Sequence, residues 1–202
     1  ALTVNKSLTV GGTTTITNSG LFTTSNAGII VATGGFSQTG AGSNSIGANI
    51  STTDTDIRFA TGIILLENVQ LSIGTGTGSI ILSGIVEAET SSSKENLILD
   101  AGSGDITFSD TVGATNPLGA IIITSANTVS FLGDIRAASF TQNAETGTTK
   151  FDGTQNYTGN FAFTGNALTV NKSLTVGGTT TITNSGLFTT SNAGTISATG
   201  GF

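Results

Sequence analysis

Cysteine, histidine, methionine and tryptophan are absent from this chain, and proline and tyrosine occur once each in its 202 residues. Without histidine there is no Ser-His-Asp or Cys-His catalytic arrangement, no histidine-ligated zinc and no metalloprotease helix. Without cysteine there is no disulfide framework, so an oxidising compartment is permitted but not indicated. Charge is scarce too: 9% of residues are charged, against roughly 25% in ordinary soluble proteins, and the net charge is −6. Lys6, Arg58, Lys94, Arg136, Lys150 and Lys172 stand singly along the chain. They form no basic stripe to neutralise phosphates, which argues against nucleic acid and anionic lipid as partners. No apolar run approaches the ~18 residues of a membrane span, so membrane insertion of this segment is not expected.

What the chain does contain is 39 Thr, 29 Gly and short clusters of Val, Ile, Leu and Phe. The mean hydropathy of +0.24 sets it apart from disordered chains, which combine low hydrophobicity with high net charge. Glycine does not recur every third residue, so collagen is excluded. The dominant feature is internal repetition. Residues 1–36, ALTVNKSLTVGGTTTITNSGLFTTSNAGIIVATGGF, return as residues 167–202 with two changes, Ile29 becoming Thr195 and Val31 becoming Ser197. A match at 34 of 36 positions over an offset of 166 residues is the mark of tandem duplication. The chain therefore reads as one full period of a longer array and the start of the next. No secretory leader opens the sequence, and in an excerpt its absence carries no meaning.

Apolar residues two apart, bounded by Gly, Asn and Ser, give the strand signal throughout. Leu2-Thr-Val4, Leu8-Thr-Val10 and Thr14-Thr-Ile16 form the first such unit, punctuated by Asn5-Lys6-Ser7 and Gly11-Gly12. Comparable units occupy residues 21–42, 43–62, 63–78, 79–104, 105–128, 129–148 and 149–166. The unit at 63–78 is tighter, with two strand stretches only. Threonine suits the pleated outer surface of such strands, and Asn and Gly suit their corners.

Three short strands in about 20 residues, stacked unit on unit, predict an all-β fold: a right-handed parallel β-helix (β-solenoid) running continuously over 1–202. Eight coils at ~4.8 Å each give roughly 38 Å per period. Phe59, Phe108, Phe131 and Phe151 recur at equivalent positions and are expected to point inward. An immunoglobulin-like sandwich fits less well, because the strand spacing is shorter than in the ~100-residue, seven-strand unit and tryptophan is missing.

Few residues invite a chemical role. Gly11-Gly12, Gly34-Gly35 and Gly74-Thr-Gly-Thr-Gly78 lack the following Lys-Ser/Thr pair of a phosphate loop and read as turns. Asp54, Asp56, Asp100, Asp105 and Asp110 do not form a Gly-Gly-x-Gly-x-Asp calcium series. Asp54 and Asp56 with Asp105 and Asp110, or Glu87 and Glu89 with Glu95, are the only carboxylate groupings a glycosidase or lyase would use. Aromatic sugar platforms and clustered basic groups are missing beside them, so the chain is expected to be non-catalytic and without a cofactor or metal. The polar insertion from Glu87 to Asn96, with Glu87, Glu89, Lys94, Glu95 and Asn96, is a candidate surface-binding loop. Thr-x-Thr stretches near residues 13–24 resemble ice-binding ranks but are broken further along the chain. Asn5, Asn49 and Asn156 match the glycosylation acceptor pattern and read as turn residues.

Segments such as GSIILSGIVEAETSSSKENLILDAGSGDITFSDTVGAT and NPLGAIIITSANTVSFLGDIRAASFTQNAETGTTKFDGT resemble the β-strand repeats of very large bacterial exoproteins. These are similar to filamentous haemagglutinin and autotransporter-type adhesin passengers. The resemblance implies export to the bacterial cell surface and a role in an extracellular fibre, stalk or adhesin. It carries no catalytic residues with it. The expected partner is more of the same protein, along the chain or in end-to-end or lateral contacts, with a surface polysaccharide or a host or neighbouring cell surface as the alternative.

Overall fold

The computed structural model describes residues 1–143 and 146–202, and among these every regular element is a β-strand. The strands pair in parallel and stack as a β-solenoid of about nine turns, roughly 21 residues per coil. Three faces, A, B and C, run the length of the stack. Face A carries the column Leu2, Phe22, Asn44, Ile63 and Val86, which continues through bridges at Val112 to Ile135, Gln155, Leu174 and Ile196. Face B carries Leu8, Ile30, Ile50, Leu71, Leu99, Ile123, Gln142, Phe163 and Ile182. Face C carries Ile16, Gln38, Phe59, Leu82, Phe108, Phe131, Phe151, Val170 and Thr190.

The alternation read from the sequence sets these columns. A strand such as Ile57–Phe59 buries its first and third side chains and exposes the second, as a two-residue period requires. The four recurring phenylalanines all point inward on face C. Phe108, Phe131 and Phe151 stack there with ring centroids 4.6 and 5.0 Å apart and planes within 14° and 16° of parallel. Inward Gln38 is held by partners in its own and neighbouring coils. The Gln38 amide donates to Asn18 at 2.7 Å and to the Gly40 carbonyl at 2.6 Å, and its oxygen accepts from the Ala60 N–H at 3.1 Å.

At the corners, backbones approach so closely that a side chain has no room. A Cβ on Gly104 would lie 1.6 Å from the Gly78 carbonyl oxygen. Asparagine and aspartate immediately before a strand cap the coil that follows. Asn49 accepts from the Gln70 N–H, Asn68 from Asn96, Asn96 from Ala120, Asp105 from Thr128 and Asp134 from Thr154. Among the described residues, every bond between coils from a backbone N–H to a side-chain oxygen runs this way, with the side chain in the earlier coil.

Two expectations are corrected. The sequence reads Asp134-Ile135 and Ser139-Phe140 as two stretches, but they form one strand, Ile135–Gln142, because Arg136-Ala-Ala138 offers no Gly, Asn or Pro to break it. It pairs with Leu118–Ser125 around the corner between faces A and B. The coil count also changes. Leu2 stands on face A, whereas its repeat counterpart Leu168 stands on face C, paired with Thr149. Leu8 and Leu174 stand on faces B and A, and Thr14 and Thr180 on faces C and B. One period is therefore seven coils and two further faces, a rise of ~37 Å. The shortfall from eight coils arises at residues 63–78, which cover two faces, with Ile63–Leu65 and Val69–Ser72, where other units cover three.

Candidate functional site

The longest corner between faces A and B is residues 89–96, between the strands Val86–Ala88 and Leu97–Asp100. Its side chains divide sharply. Glu87 is 6% exposed, and its carboxylate accepts the Thr115 N–H at 3.0 Å and the Asn116 N–H at 2.5 Å, fixing the corner of the next coil. Glu95 is 7% exposed and accepts the Glu89 N–H at 3.0 Å, closing the loop on itself. The Asn96 side chain accepts the Ala120 N–H at 2.6 Å. Glu89 and Lys94 remain exposed, Lys94 with φ of 53°, around a turn in which Thr90 and Ser93 bond each other. Of the five residues singled out in the sequence, two face solvent and three hold backbone. The signal that was missed is the downstream pair Thr115 and Asn116, which lies 28 and 29 residues from Glu87.

The aspartates behave likewise. Asp54, with φ of 57°, and Asp56 line an open depression of about 480 Å³ with Thr13, Ser37, Arg58 and Thr77. Asp56 pairs with Arg58 at 2.8 Å and accepts the Ser79 N–H at 2.8 Å. Asp105 accepts the Thr128 N–H, and Asp110 accepts the Thr111 N–H at 2.7 Å. Neither Asp105 nor Asp110 reaches the depression lined by Asp54 and Asp56. Asp100 is held by Ser125. Among the described residues, no three acidic side chains converge as a metal site requires.

Two groups have displaced proton equilibria. Burial raises the Asp152 pKa, but hydrogen bonds from Asn171 and Lys150 and the Lys150 charge outweigh it and hold the carboxyl below the ordinary aspartate range. Burial pushes the Tyr157 phenol well above its usual value, and its hydroxyl meets Gln155 inside the core at 3.0 Å.

Outward threonines do not form long ranks. On face A the register runs Thr3, Thr23, Ser45, Ile64 and Glu87, and on face C Thr15, Ser37, Arg58 and Ile81. Asn5 and Asn156 are exposed, while the Asn49 side chain caps Gln70. No family model matches this chain, and the comparisons with curated proteins and with solved structures gave no match.

Proposed function

We propose that this chain is a non-catalytic structural segment of a long extracellular bacterial fibre or stalk-like adhesin. The observation that carries the reading is the continuity of its three ladders: among the described residues, coil stacks on coil from Leu2 to Ile196 without an inserted domain. Such a stack gains length by adding periods, and each interface contributes a similar increment of stability. Of the carboxylates that an enzyme would use, Asp56, Glu87, Glu95, Asp105 and Asp110 accept backbone N–H groups, and the exposed surface is chiefly Thr, Ser and Asn.

Cryo-electron microscopy of the protein as its source displays it tests this. A rod with a meridional reflection near ~4.8 Å and an axial sequence repeat near ~37 Å supports the proposal. Beads at the spacing of separate globular domains would overturn it. A second reading, a module gripping a polysaccharide or cell surface, is favoured by the projecting corner at Thr90–Lys94. Deleting residues 90–94 abolishes adhesion on that reading and leaves it unchanged on the first.

A further inference from the structure

The duplicated segment occupies two seats in one stack, and only the first has a coil above it. We infer that a second copy of this chain is the partner of the other seat, by strand exchange. Residues 180–202 of one copy take the place of residues 14–36 in another, beneath the coil 37–59, and the displaced first 36 residues leave as a free arm.

The two seats hold the segment alike. Leu2 donates its N–H to Leu21 at 2.9 Å and Leu168 donates to Leu187 at 3.0 Å. Leu8 donates to Ile29 at 2.8 Å and Leu174 to Thr195 at 2.7 Å, while Thr14 donates to Gly35 at 2.8 Å and Thr180 to Gly201 at 2.9 Å. The corner asparagines agree as well, Asn18 donating to the Gly20 carbonyl at 2.7 Å and Asn184 to that of Gly186 at 2.6 Å. This match persists although Leu2 stands on face A and Leu168 on face C. The two sequence changes, at 29/195 and 31/197, fall on outward positions and leave the inward side chains the same.

What differs is the cover. Phe22, Ile30 and Phe36 are buried because Asn44–Ile46, Ile50–Thr52 and Ile57–Phe59 pair over them. Their counterparts Phe188 and Ile196 are half-buried and Phe202 is 75% exposed, and among the described residues no strand pairs above them. The groups that bind the coil 37–59 are present in both copies. Ser43 accepts the Phe22 N–H at 2.9 Å and Asn49 accepts that of Ile30 at 3.0 Å. The Thr24 hydroxyl accepts the Gly47 and Ala48 N–H groups at 3.1 Å, and the Asn18 oxygen accepts the Gln38 amide at 2.7 Å. Phe188, Ile196, Thr190 and Asn184 offer the same donors and acceptors.

The arm that leaves is weakly held. Leu2 is 42% exposed and Val4, Leu8 and Val10 are incompletely covered, whereas Leu168, Val170, Leu174 and Val176 are fully buried. Exchange keeps the ladder between the segment and the coil 37–59 and gives up only the least covered coil. Gly34-Gly35, with Gly35 at φ of 112°, supplies the hinge. Nothing blunts the edges: residues 173–202 contain no charge and no proline, and residues 1–36 contain Lys6 alone. The inference rests on the duplicated register, and it holds whether or not the rod is an extracellular fibre.

The test uses single-cysteine variants of the full chain, which has no cysteine of its own. Thr23 and Ser45 are outward partners across the occupied joint, and Thr189 is the counterpart of Thr23. Strands stacked ~4.8 Å apart are within the span of a disulfide. Chains carrying Thr189→Cys are mixed with chains carrying Ser45→Cys and oxidised. The expected product is their covalent heterodimer, about tenfold over a mixture of Thr189→Cys with Lys94→Cys, because a fixed joint raises the effective concentration of the two thiols. Amide exchange at Leu8 and Thr14 should speed up in the copy that gives up its arm. A chain carrying both Thr23→Cys and Ser45→Cys, which should close an internal bond, shows that these thiols can meet. End-on stacking of intact rods would instead set Thr9 of one copy over Thr189 of the other. Coupling of Thr189→Cys to Thr9→Cys in place of Ser45→Cys, or to no preferred partner, overturns the inference.

Discussion

Phe131 lies at the centre of the face C ring column, and replacing it by alanine asks how much of the rod's cohesion comes from that column. The side chain is fully buried, sandwiched between Phe108 at 4.6 Å and Phe151 at 5.0 Å, with the Phe140 ring edge-on at 6.1 Å. Truncating a buried phenylalanine costs about 3–5 kcal/mol, and loss of three ring contacts places this site near the upper figure. Leu132, the next residue, points outward and is 49% exposed, so Leu132→Ala should cost less than about 1 kcal/mol. Urea unfolding followed by circular dichroism compares the two variants. Because each coil contacts only its neighbours, amide exchange should also speed up around Phe108, Ser130 and Lys150 while Ile30 and Ile50 stay protected. A Phe131→Ala cost below about 1 kcal/mol, or equal loss of protection at both ends, would refute the reasoning.

Glu87→Ala leaves two backbone N–H groups of the next coil without their charged acceptor; a loss of about 2–3 kcal/mol is expected, with exchange at Thr115 and Asn116 accelerated most. Gly104→Ala drives a Cβ into the Gly78 carbonyl and should cost about 3 kcal/mol, while Gly11→Ala, with open space around it, should be near neutral in the same thermal melts. Asp152 has its pKa lowered in the folded state, so it stabilises the fold above the unfolded value near ~4 and loses that effect as pH falls through the lower folded value. Asp152→Asn should therefore be less stable than the parent at neutral pH and indistinguishable from it in strong acid, as read by urea midpoints across pH. A constant difference at every pH would contradict the linkage.

Much of this architecture could be read in advance, because it depends on residues two apart. Phe59, Phe108, Phe131 and Phe151 follow from alternation alone, and every strand stretch read from the sequence occupies a face. The face on which a stretch lands was not legible. It depends on the number of corners turned before it, and one two-strand unit at 63–78 displaces all that follows by a third of a coil. Which side chains of the candidate loop face solvent was not legible for a related reason. Glu87 looks like a solvated loop charge until the coil carrying Thr115 and Asn116 is laid over it, and no local pattern announces a partner nearly 30 residues away. Gln38 presents the same case: a polar residue at an inward position, intelligible only when Asn18 and Ala60 are set beside it.

The one-way corner caps give the stack an order of assembly. A finished coil offers Asn, Asp, Gln and Thr oxygens to a coil not yet made, and the arriving chain brings the N–H groups that fit them. Peeling the last coil leaves behind side-chain oxygens that water can solvate, whereas peeling the first strips acceptors from backbone donors beside the core. Both edges of a coil offer backbone donors and acceptors, but only growth from the N-terminus finds the side-chain acceptors already in place. Single-molecule pulling should record different unfolding forces when the load enters by the first coil and by the last. A chain released N-terminus first would meet its scaffold in the order in which that scaffold was built.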